Sequence, residues 1–296
     1  MLCKKCFQES IEKIMAKTIS KFKMFSPSDK IIVGLSGGKD SITLLYNLIR
    51  IREKWHGTEP ITALIIDEGI QDYRDRSIIH AKEFCKQQDI DHVVVSFKEK
   101  IGITLDEIIK QKRNEKDYKY ACNYCATIRR RLLNDAAREL GGDVLALGHN
   151  LTDLAETFLM NILYKRLNLI GSQFIFKEEN STLNKFFVRK VSPLMRIPEE
   201  EIYIYVNLKN LQYYPSHCPY REQDPIIRKR VLNFIQDCKT YSPEIEFNLL
   251  NGFLELSEIL YNHYPKDVFH HCNNCGYPSG ESKLCTYCSL KLELNG

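Results

Sequence analysis

The sequence predicts an α/β fold in which a parallel sheet carries helices on both faces. Two observations predict it: short runs of Val, Ile and Leu alternate with longer amphipathic segments, and a Gly-rich turn joins the first run to its helix. Continuous apolar strands are typical of parallel sheets covered on both sides. With 44% hydrophobic and 27% charged residues over 296 positions, the chain can bury a full core. This composition excludes disordered, collagen-like and coiled-coil proteins.

An amphipathic helix with a stripe of lysines is predicted first, over residues 7–23, before Pro27. Four strand-and-helix units follow. They pair residues 30–36 with 42–49, 61–66 with 76–88, 92–96 with 105–112 and 144–147 with 153–163. Later helical patterns begin at Pro198 and cover 226–235 and 247–260, ahead of a cysteine-rich tail from His270. Ligands of such sheets bind outside the carboxyl ends of the strands.

The turn after the first strand, Ser36-Gly-Gly-Lys-Asp-Ser41, predicts an anion site, because free N–H groups and the helix dipole meet there. Phosphate would be contacted by the hydroxyls of Ser36 and Ser41, by the backbone of Gly37 and Gly38, and by the ammonium of Lys39. The spacing is not that of a Walker A loop, and an ordinary βα turn is the alternative. The motif resembles the PP-loop of ATP pyrophosphatases, which split ATP to AMP and pyrophosphate while adenylating a substrate. That resemblance implies that Asp40 helps to hold Mg²⁺.

Polar residues at the ends of the second and fourth strands fall where a bound nucleotide would be contacted. Ile66, Gly148 and Asp153 are candidates for contact with the nucleotide or the adenylated substrate. Asp67 is equally well explained as the cap of the next turn. His149 could be a base, but a hydrogen bond within its turn is the preferred interpretation.

Eight of the eleven cysteines form four C-x-x-C pairs, and this spacing favours metal binding over a disulfide framework. Two pairs nine residues apart in the tail predict a Cys₄ zinc ribbon, with Cys272, Cys275, Cys285 and Cys288 as ligands. Cys3 and Cys6 make only a half-site, completed from elsewhere or without metal. Cys85 and Cys238 are interpreted as buried apolar residues.

The pair Cys122 and Cys125 supplies two thiolates, too few for a closed tetrahedral site. With Cys218 as a third ligand, the set suits a 4Fe-4S cluster whose fourth iron stays open for an exogenous ligand. A thioredoxin-like redox pair is the rival interpretation. Such a pair would sit between a first strand and its helix, and this one does not.

Taken together, the Ser36–Ser41 loop, the three cysteines, Gly148-His-Asn and the ribbon resemble the TtcA/TtuA-type tRNA 2-thiolation enzymes, on the archaeal and eukaryotic-like branch, over nearly the whole chain. The resemblance implies an adenine nucleotide alpha hydrolase-like sheet and assigns nucleotide contact to Arg129 as well. The chain departs from the family twice. One N-terminal pair of zinc ligands is missing, and Thr152-Asp153 replaces the usual Asp-Asp, so that Asp153 alone would have to serve.

The resemblance implies a tRNA sulfurtransferase that adenylates the 2-oxygen of a uridine with ATP and Mg²⁺ and replaces it by sulfur held on the open iron. Lys39, Asp40, Asp153 and the three cysteines would be catalytic, and sulfide or the thiocarboxylate of a ubiquitin-like carrier would donate sulfur. A homodimer is one option. The alternatives are a PP-loop amide-forming ligase, which needs no clustered cysteines, and a zinc-ribbon RNA-binding protein without catalysis. The expected tRNA surface comprises Lys110, Lys112, Arg113, Lys116, Lys119 and Arg129–Arg131.

Three regions are expected: a C-x-x-C half-site with its basic helix at 1–26, a PP-loop catalytic domain at 27–265 and the zinc ribbon at 266–296. The net charge of +4 does not by itself indicate a nucleic-acid partner. No uncharged apolar run approaches the roughly 18 residues that a membrane span needs. The N-terminus has no apolar segment before a cleavage site. A soluble, cytoplasmic protein is therefore expected.

Overall fold

A computed structural model describes residues 2–116, 118, 120–174, 185–223, 227–264, 270–280 and 282–295. Its centre is a five-stranded sheet in the order β3-β2-β1-β4-β5, with every neighbouring pair parallel. The strands are β1 (Ile31–Gly34), β2 (Thr62–Asp67), β3 (Asp91–Ser96), β4 (Val144–Ala146) and β5 (Arg189–Val191). The predicted parallel sheet is confirmed.

Helices cover both faces of the sheet. Through the first half of the chain they are α1 (Lys4–Lys21), α2 (Lys39–Arg52), α3 (Arg74–Gln87), α4 (Phe97–Ile101), α5 (Leu105–Lys112), α6 (Ala121–Glu139), α7 (Leu151–Leu163) and α8 (Leu167–Ser172). Later described helices are α9 (Glu199–Leu208), α10 (Tyr220–Gln223), α11 (Ile227–Tyr241) and α12 (Ile245–His263). Among these described helices, none is both long and apolar enough to cross a membrane.

Two hydrophobic cores lie on opposite faces of the sheet. One contains the apolar sides of α1, α2, α9 and α12, and the other contains those of α5 and α6. Alternate residues of β1 divide between them: Ile31 and Val33 pack in the first core and Ile32 in the second. Side chains of a strand alternate between faces, so a sheet covered on both sides needs an unbroken apolar run.

The N-terminal helix begins at Lys4 rather than at residue 7, because Cys3 caps it. The Cys3 Sγ accepts the backbone N–H of Cys6 at 3.4 Å. The helix ends at Lys21, well before Pro27. Its buried face belongs to the same core as β1 and α2, so α1 packs against the sheet.

Sequence analysis did not find β5. Its three residues, Arg-Lys-Val, include two exposed cations and form no apolar run. Pairing with β4 fixes this short strand at the edge of the sheet. The position and register of β5 are therefore set by its pairing with β4 rather than by its own sequence pattern.

The tail contains β6 (His270–His271) and β7 (Pro278–Gly280), which pair antiparallel, and α13 (Thr286–Asn295). We call the described residues of 270–295 the C-terminal ribbon. Helix α13 packs against α6, and Leu290 lies in the second core.

Candidate active site

The loop of residues 36–41 lies between β1 and α2, with Gly38 as the N-cap of the helix. Its two serines brace it: the Ser41 Oγ accepts the Ser36 N–H at 3.2 Å, donates to the Gly38 carbonyl at 3.0 Å, and lies 3.0 Å from the Ser36 Oγ. These hydroxyls fix the loop at the head of α2, where N–H groups point outward.

Gly37 requires a residue without a side chain. Its φ is +85°, and a Cβ there would lie 2.3 Å from the carbonyl oxygen of Ser77. The Gly37 carbonyl accepts the N–H of Tyr214 at 2.9 Å. The 36–41 loop is thus wedged between α3 and the segment that follows α9.

Lys39 lies in the 36–41 loop between two carboxylates. Its Nζ is 3.0 Å from the Asp40 Oδ2 and 2.6 Å from the Glu199 Oε1, and the side chain is 18% exposed. Burial opposes its charge, but the two carboxylates outweigh burial and raise the pKa of Lys39. Lys39 therefore stays a cation. From the sequence, Glu199 was predicted only to lie at the start of the helix that begins after Pro198, and no contact with Lys39 was expected.

The turn after β4 packs onto the 36–41 loop. A Cβ on Gly148 would lie 3.1 Å from the Ser41 nitrogen, so a larger residue would push the two segments apart. Asn150, which sequence analysis did not single out as a contact, donates from Nδ2 to the Asp40 Oδ1 at 3.1 Å. Burial raises the pKa of Asp40, and the nearby Asp153 carboxylate adds to the rise.

Asp153 closes a capping box at the start of α7. Its Oδ2 accepts the Asn150 N–H at 3.3 Å, and the Asn150 Oδ1 accepts the Asp153 N–H at 2.9 Å. Its Oδ1 lies 3.3 Å from the Arg228 Nη2 on α11. Asp153 thus has a structural role as well as a position beside Asp40.

Buried charges organise the end of β2. Arg74 donates from Nη1 to the Ser36 carbonyl at 2.8 Å and pairs with Glu68 at 2.7 Å. It also donates from Nε to the Ile66 carbonyl at 2.7 Å, while the Ile66 side chain packs in the second core. Asp67 caps its turn by accepting the Gly69 N–H at 2.9 Å, as the capping interpretation expects.

Cys122 and Cys125 lie in the first turn of α6, with Cys122 exposed and Cys125 half-buried, and Cys218 is half-buried just before α10. Burial raises the pKa of the Cys125 thiol to about 12, against the opposing charge of Arg129. Burial also raises the pKa of Cys218.

All three thiols lie within electrostatic range of the Arg129 guanidinium. The Arg129 Nη1 is 3.6 Å from the Glu68 Oε1. Cys125 and Cys218 pack against the same core cluster, and the charge of Cys218 lies close enough to disfavour the Cys125 thiolate. The segment that carries Cys218 is the one that Tyr214 ties to the 36–41 loop. Residues about 95 positions apart in sequence are thus brought near one another. Among the described residues, however, the three cysteines form no group of converging metal ligands of the kind that Cys272, Cys275, Cys285 and Cys288 form in the C-terminal ribbon.

A cluster of cationic side chains adjoins these groups. His149, Arg129 and Arg130 are solvent-exposed, yet the surrounding protein and neighbouring cations, Arg228 among them, lower the pKa of His149 and of Arg130. The sequence predicted that His149 makes a hydrogen bond within its turn. No such hydrogen bond is found among the described residues.

Only some of the residues predicted to form a basic surface are exposed. Lys110, Arg113 and Lys116 are exposed, whereas Lys112 is paired with Glu115 at 3.1 Å. Lys119 lies outside the described residues. Arg131 is 13% exposed and faces the C-terminal ribbon, so it does not belong to an open surface.

The four ribbon cysteines converge. Their sulfurs lie within 4.8 Å of one another, and those of Cys275 and Cys285 are 3.7 Å apart. Zinc–sulfur bonds of about 2.3 Å place the sulfurs of a tetrahedral site about 3.8 Å apart, so the donor set fits zinc. Burial disfavours the Cys272 thiolate, but backbone N–H groups outweigh it and lower the pKa of Cys272 to about 6.

The other cysteines are dispersed. In the part of the chain that the structure describes, Cys3 and Cys6 are exposed and belong to no group of three or more ligands. Cys85 is buried on α3, as expected, while Cys238 on α11 is half-buried rather than buried.

Residues 4–234 match the PP-loop domain family. The chain is 34% identical over 297 residues to a probable sulfurtransferase from Methanocaldococcus jannaschii, covering 99% of this chain and 82% of that protein. It is 32% identical over 294 residues to cytoplasmic tRNA 2-thiolation protein 1 of Xenopus laevis, with coverage of 99% and 82%. Among solved structures, the U34-tRNA thiolase NcsA from Methanococcus maripaludis, with its 4Fe-4S cluster, is 30% identical with a TM-score of 0.81, covering 99% of this chain and 89% of that chain.

Proposed function

We propose that this chain, which belongs to the PP-loop family and within it to the tRNA 2-thiolation proteins, is an ATP-dependent tRNA uridine 2-sulfurtransferase. One observation carries the proposal. The hydrogen bond from the Tyr214 N–H to the Gly37 carbonyl joins the segment of Cys218 to the 36–41 loop. An amide-forming ligase or a non-catalytic RNA-binding protein has no use for three cysteines beside an ATP site.

ATP is proposed to place its phosphates on the N–H groups at the start of α2, beside Lys39. An incoming phosphate would compete with Asp40 and Glu199 for the Lys39 ammonium, which both carboxylates contact here. Asp40, once released and with Asp153 nearby, is the proposed carboxylate for Mg²⁺, which prefers oxygen ligands. Gly148 admits the nucleotide by keeping the neighbouring turn free of a side chain.

Cys122, Cys125 and Cys218 are the proposed ligands of a 4Fe-4S cluster, because all three thiols lie within electrostatic range of the Arg129 guanidinium. When bound, the cluster would supply an iron site that holds sulfur in its deprotonated, nucleophilic form. Arg129 lies beside these thiols and Glu68, so its cation offsets the negative charge that ligation brings. The uridine oxygen leaves readily only after adenylation, which ATP on the 36–41 loop provides.

We propose zinc for the C-terminal ribbon, supported by the convergence of its four sulfurs. Cys3 and Cys6 remain a proposed half-site that needs ligands from elsewhere. Sulfide or a ubiquitin-like carrier is the proposed sulfur donor, and a homodimer in the cytoplasm is the proposed state. The Xenopus laevis relative is named a cytoplasmic protein.

The assay that tests this function measures AMP release and 2-thiouridine together, under anaerobic conditions with unmodified tRNA, ATP, Mg²⁺ and sulfide. We expect AMP release to depend on tRNA and to match 2-thiouridine in amount, because each thiolation consumes one adenylation. AMP release that needs ammonia instead of sulfide would favour the ligase. No ATP hydrolysis at all would favour the RNA-binding protein.

For tRNA binding, Arg130→Gln is expected to weaken affinity and to reduce the slope of log affinity against log salt by about one unit, because one neutralised phosphate is lost. Arg130 lies among other cations, Arg129 and Arg228, rather than in an acidic setting. Arg113→Gln is the matched control, since it removes an exposed arginine from the stretch that holds Glu115. A larger effect of Arg113→Gln than of Arg130→Gln would move the tRNA surface back to residues 110–119.

A further inference from the structure

Arg131 on α6 points into the C-terminal ribbon. Its Nη1 lies 3.7 Å from the sulfurs of both Cys275 and Cys285, and its Nη2 lies 3.7 Å from the Cys275 sulfur. These distances are within the range of N–H···S hydrogen bonds. The side chain is almost enclosed, with 13% of it exposed. It therefore contacts the proposed zinc ligands directly from the neighbouring domain.

Aromatic rings and a carboxylate fix the orientation of this guanidinium. Its central carbon is 3.8 Å from the centroid of the Tyr277 ring and 5.2 Å from that of Tyr287. Its Nε is 2.5 Å from the Asp135 Oδ2, one helical turn further along α6. A planar cation that stacks and donates in several directions cannot be replaced by lysine without losing part of this set.

The negative charge of the proposed metal site explains why a cation at this position is favourable. Four thiolates around one Zn²⁺ carry a net charge of −2, and a guanidinium against two of the sulfurs offsets part of it. Partners that hydrogen-bond to metal ligands orient those ligands and commonly change metal affinity by about 10- to 100-fold.

Further contacts of the ribbon also reach α6 and its surroundings. Leu290 of α13 packs in the same core as Leu132 of α6. Glu293 lies 3.9 Å from Lys112 on α5, and the ring of Tyr277 lies 5.0 Å from that of Phe187. Helix α6 is the element that presents Cys122 and Cys125, and Arg131 follows Cys125 by six residues.

We propose that Arg131 is a positioning residue: it locks the metal-loaded ribbon onto α6 and thereby holds in place the helix that presents Cys122 and Cys125. Bound zinc would hold the four ribbon cysteines in fixed positions. Arg131, which contacts two of their sulfurs, would then restrict the motion of α6. Loss of zinc would loosen the sulfurs and release one side of the guanidinium. The inference rests on the proposed function for the identity of the metals, whereas the contacts themselves are those of this chain.

The experiment uses the full-length, zinc-loaded protein without iron. Zinc transfer to a chromophoric chelator and amide hydrogen exchange over residues 121–133 are measured for wild type, Arg131→Met and Arg131→Lys. Arg50→Met is the matched control, because Arg50 also stacks on a tyrosine, Tyr46, but on α2, which packs in the other core. We expect Arg131→Met to release zinc at least about 10-fold faster and to exchange faster along α6. Arg131→Lys should be intermediate, and Arg50→Met should match wild type.

Three results would overturn the proposal. They are a wild-type protein that binds no zinc, an Arg131→Met variant with wild-type zinc release and exchange, and an α6 whose exchange ignores removal of zinc from wild type. Iron content after anaerobic reconstitution is measured separately. If zinc and exchange respond as expected while wild type assembles no cluster, the coupling stands and the cluster proposal fails.

Discussion

Cys218→Ala is expected to abolish 2-thiouridine formation and to damage or remove the iron signal after anaerobic reconstitution. Cys218 and Cys125 both pack against the second core, and the charge of Cys218 reaches Cys125. Without Cys218, only the two thiols of α6 remain for a cluster. Two thiolates cannot hold a 4Fe-4S cluster that needs three protein ligands. The measurements are iron content, the visible absorption of the anaerobic protein and 2-thiouridine in digested tRNA.

Cys238→Ala is the matched control for that variant, because Cys238 is also half-buried but lies on α11 rather than on the segment that Tyr214 ties to the 36–41 loop. It should keep both iron and activity. The rival interpretation, a catalytic disulfide between Cys122 and Cys125, requires no Cys218. Full 2-thiouridine formation by Cys218→Ala would therefore favour the disulfide and reject the cluster site.

Lys39→Ala is expected to lower tRNA-dependent AMP release at least about 100-fold, because it removes a preorganised positive charge from the site where phosphate charge develops. Burial opposes the charge of Lys39, but Asp40 and Glu199 raise its pKa, so the substitution removes a full positive charge. The variant also leaves Glu199 without the ammonium that it contacts at 2.6 Å, so its thermal unfolding is measured alongside.

Lys54→Ala controls for the loss of one lysine, since Lys54 is exposed just beyond the far end of the same helix. It should release AMP like wild type. A Lys39→Ala protein that is folded and releases AMP at the wild-type rate would show that the 36–41 loop does not bind the reacting phosphates through this residue.

Local pattern was sufficient for much of the fold. Strands β1, β2 and β4 were predictable because a strand buried on both faces needs a continuous apolar run. Strand β3 lies at the edge of the sheet, but its three consecutive valines still give an apolar run. The 36–41 loop was predictable because glycines and serines follow β1 closely. Strand β5 was not predictable, because its Arg-Lys-Val sequence has no such run and its place depends on β4.

The site residues that sequence analysis missed are those that act across long separations. Glu199 reaches Lys39 from 160 residues away, and Asn150 reaches Asp40 from 110. The run of acidic residues at the start of α9 gave only a helix signal, since carboxylates are common there. Arg131 was wrongly grouped with an open basic surface, because its sequence neighbours Arg129 and Arg130 are exposed while it turns toward the ribbon.

The central claim is that thiolation on this chain requires a cluster held by Cys122, Cys125 and Cys218 beside the ATP loop. Its most direct test compares 2-thiouridine formation by one wild-type preparation before and after anaerobic iron–sulfur reconstitution, with ATP, Mg²⁺, tRNA and sulfide in both reactions. We predict that 2-thiouridine rises in proportion to bound iron and is absent from the iron-free protein. Equal 2-thiouridine formation with no iron bound would contradict the account.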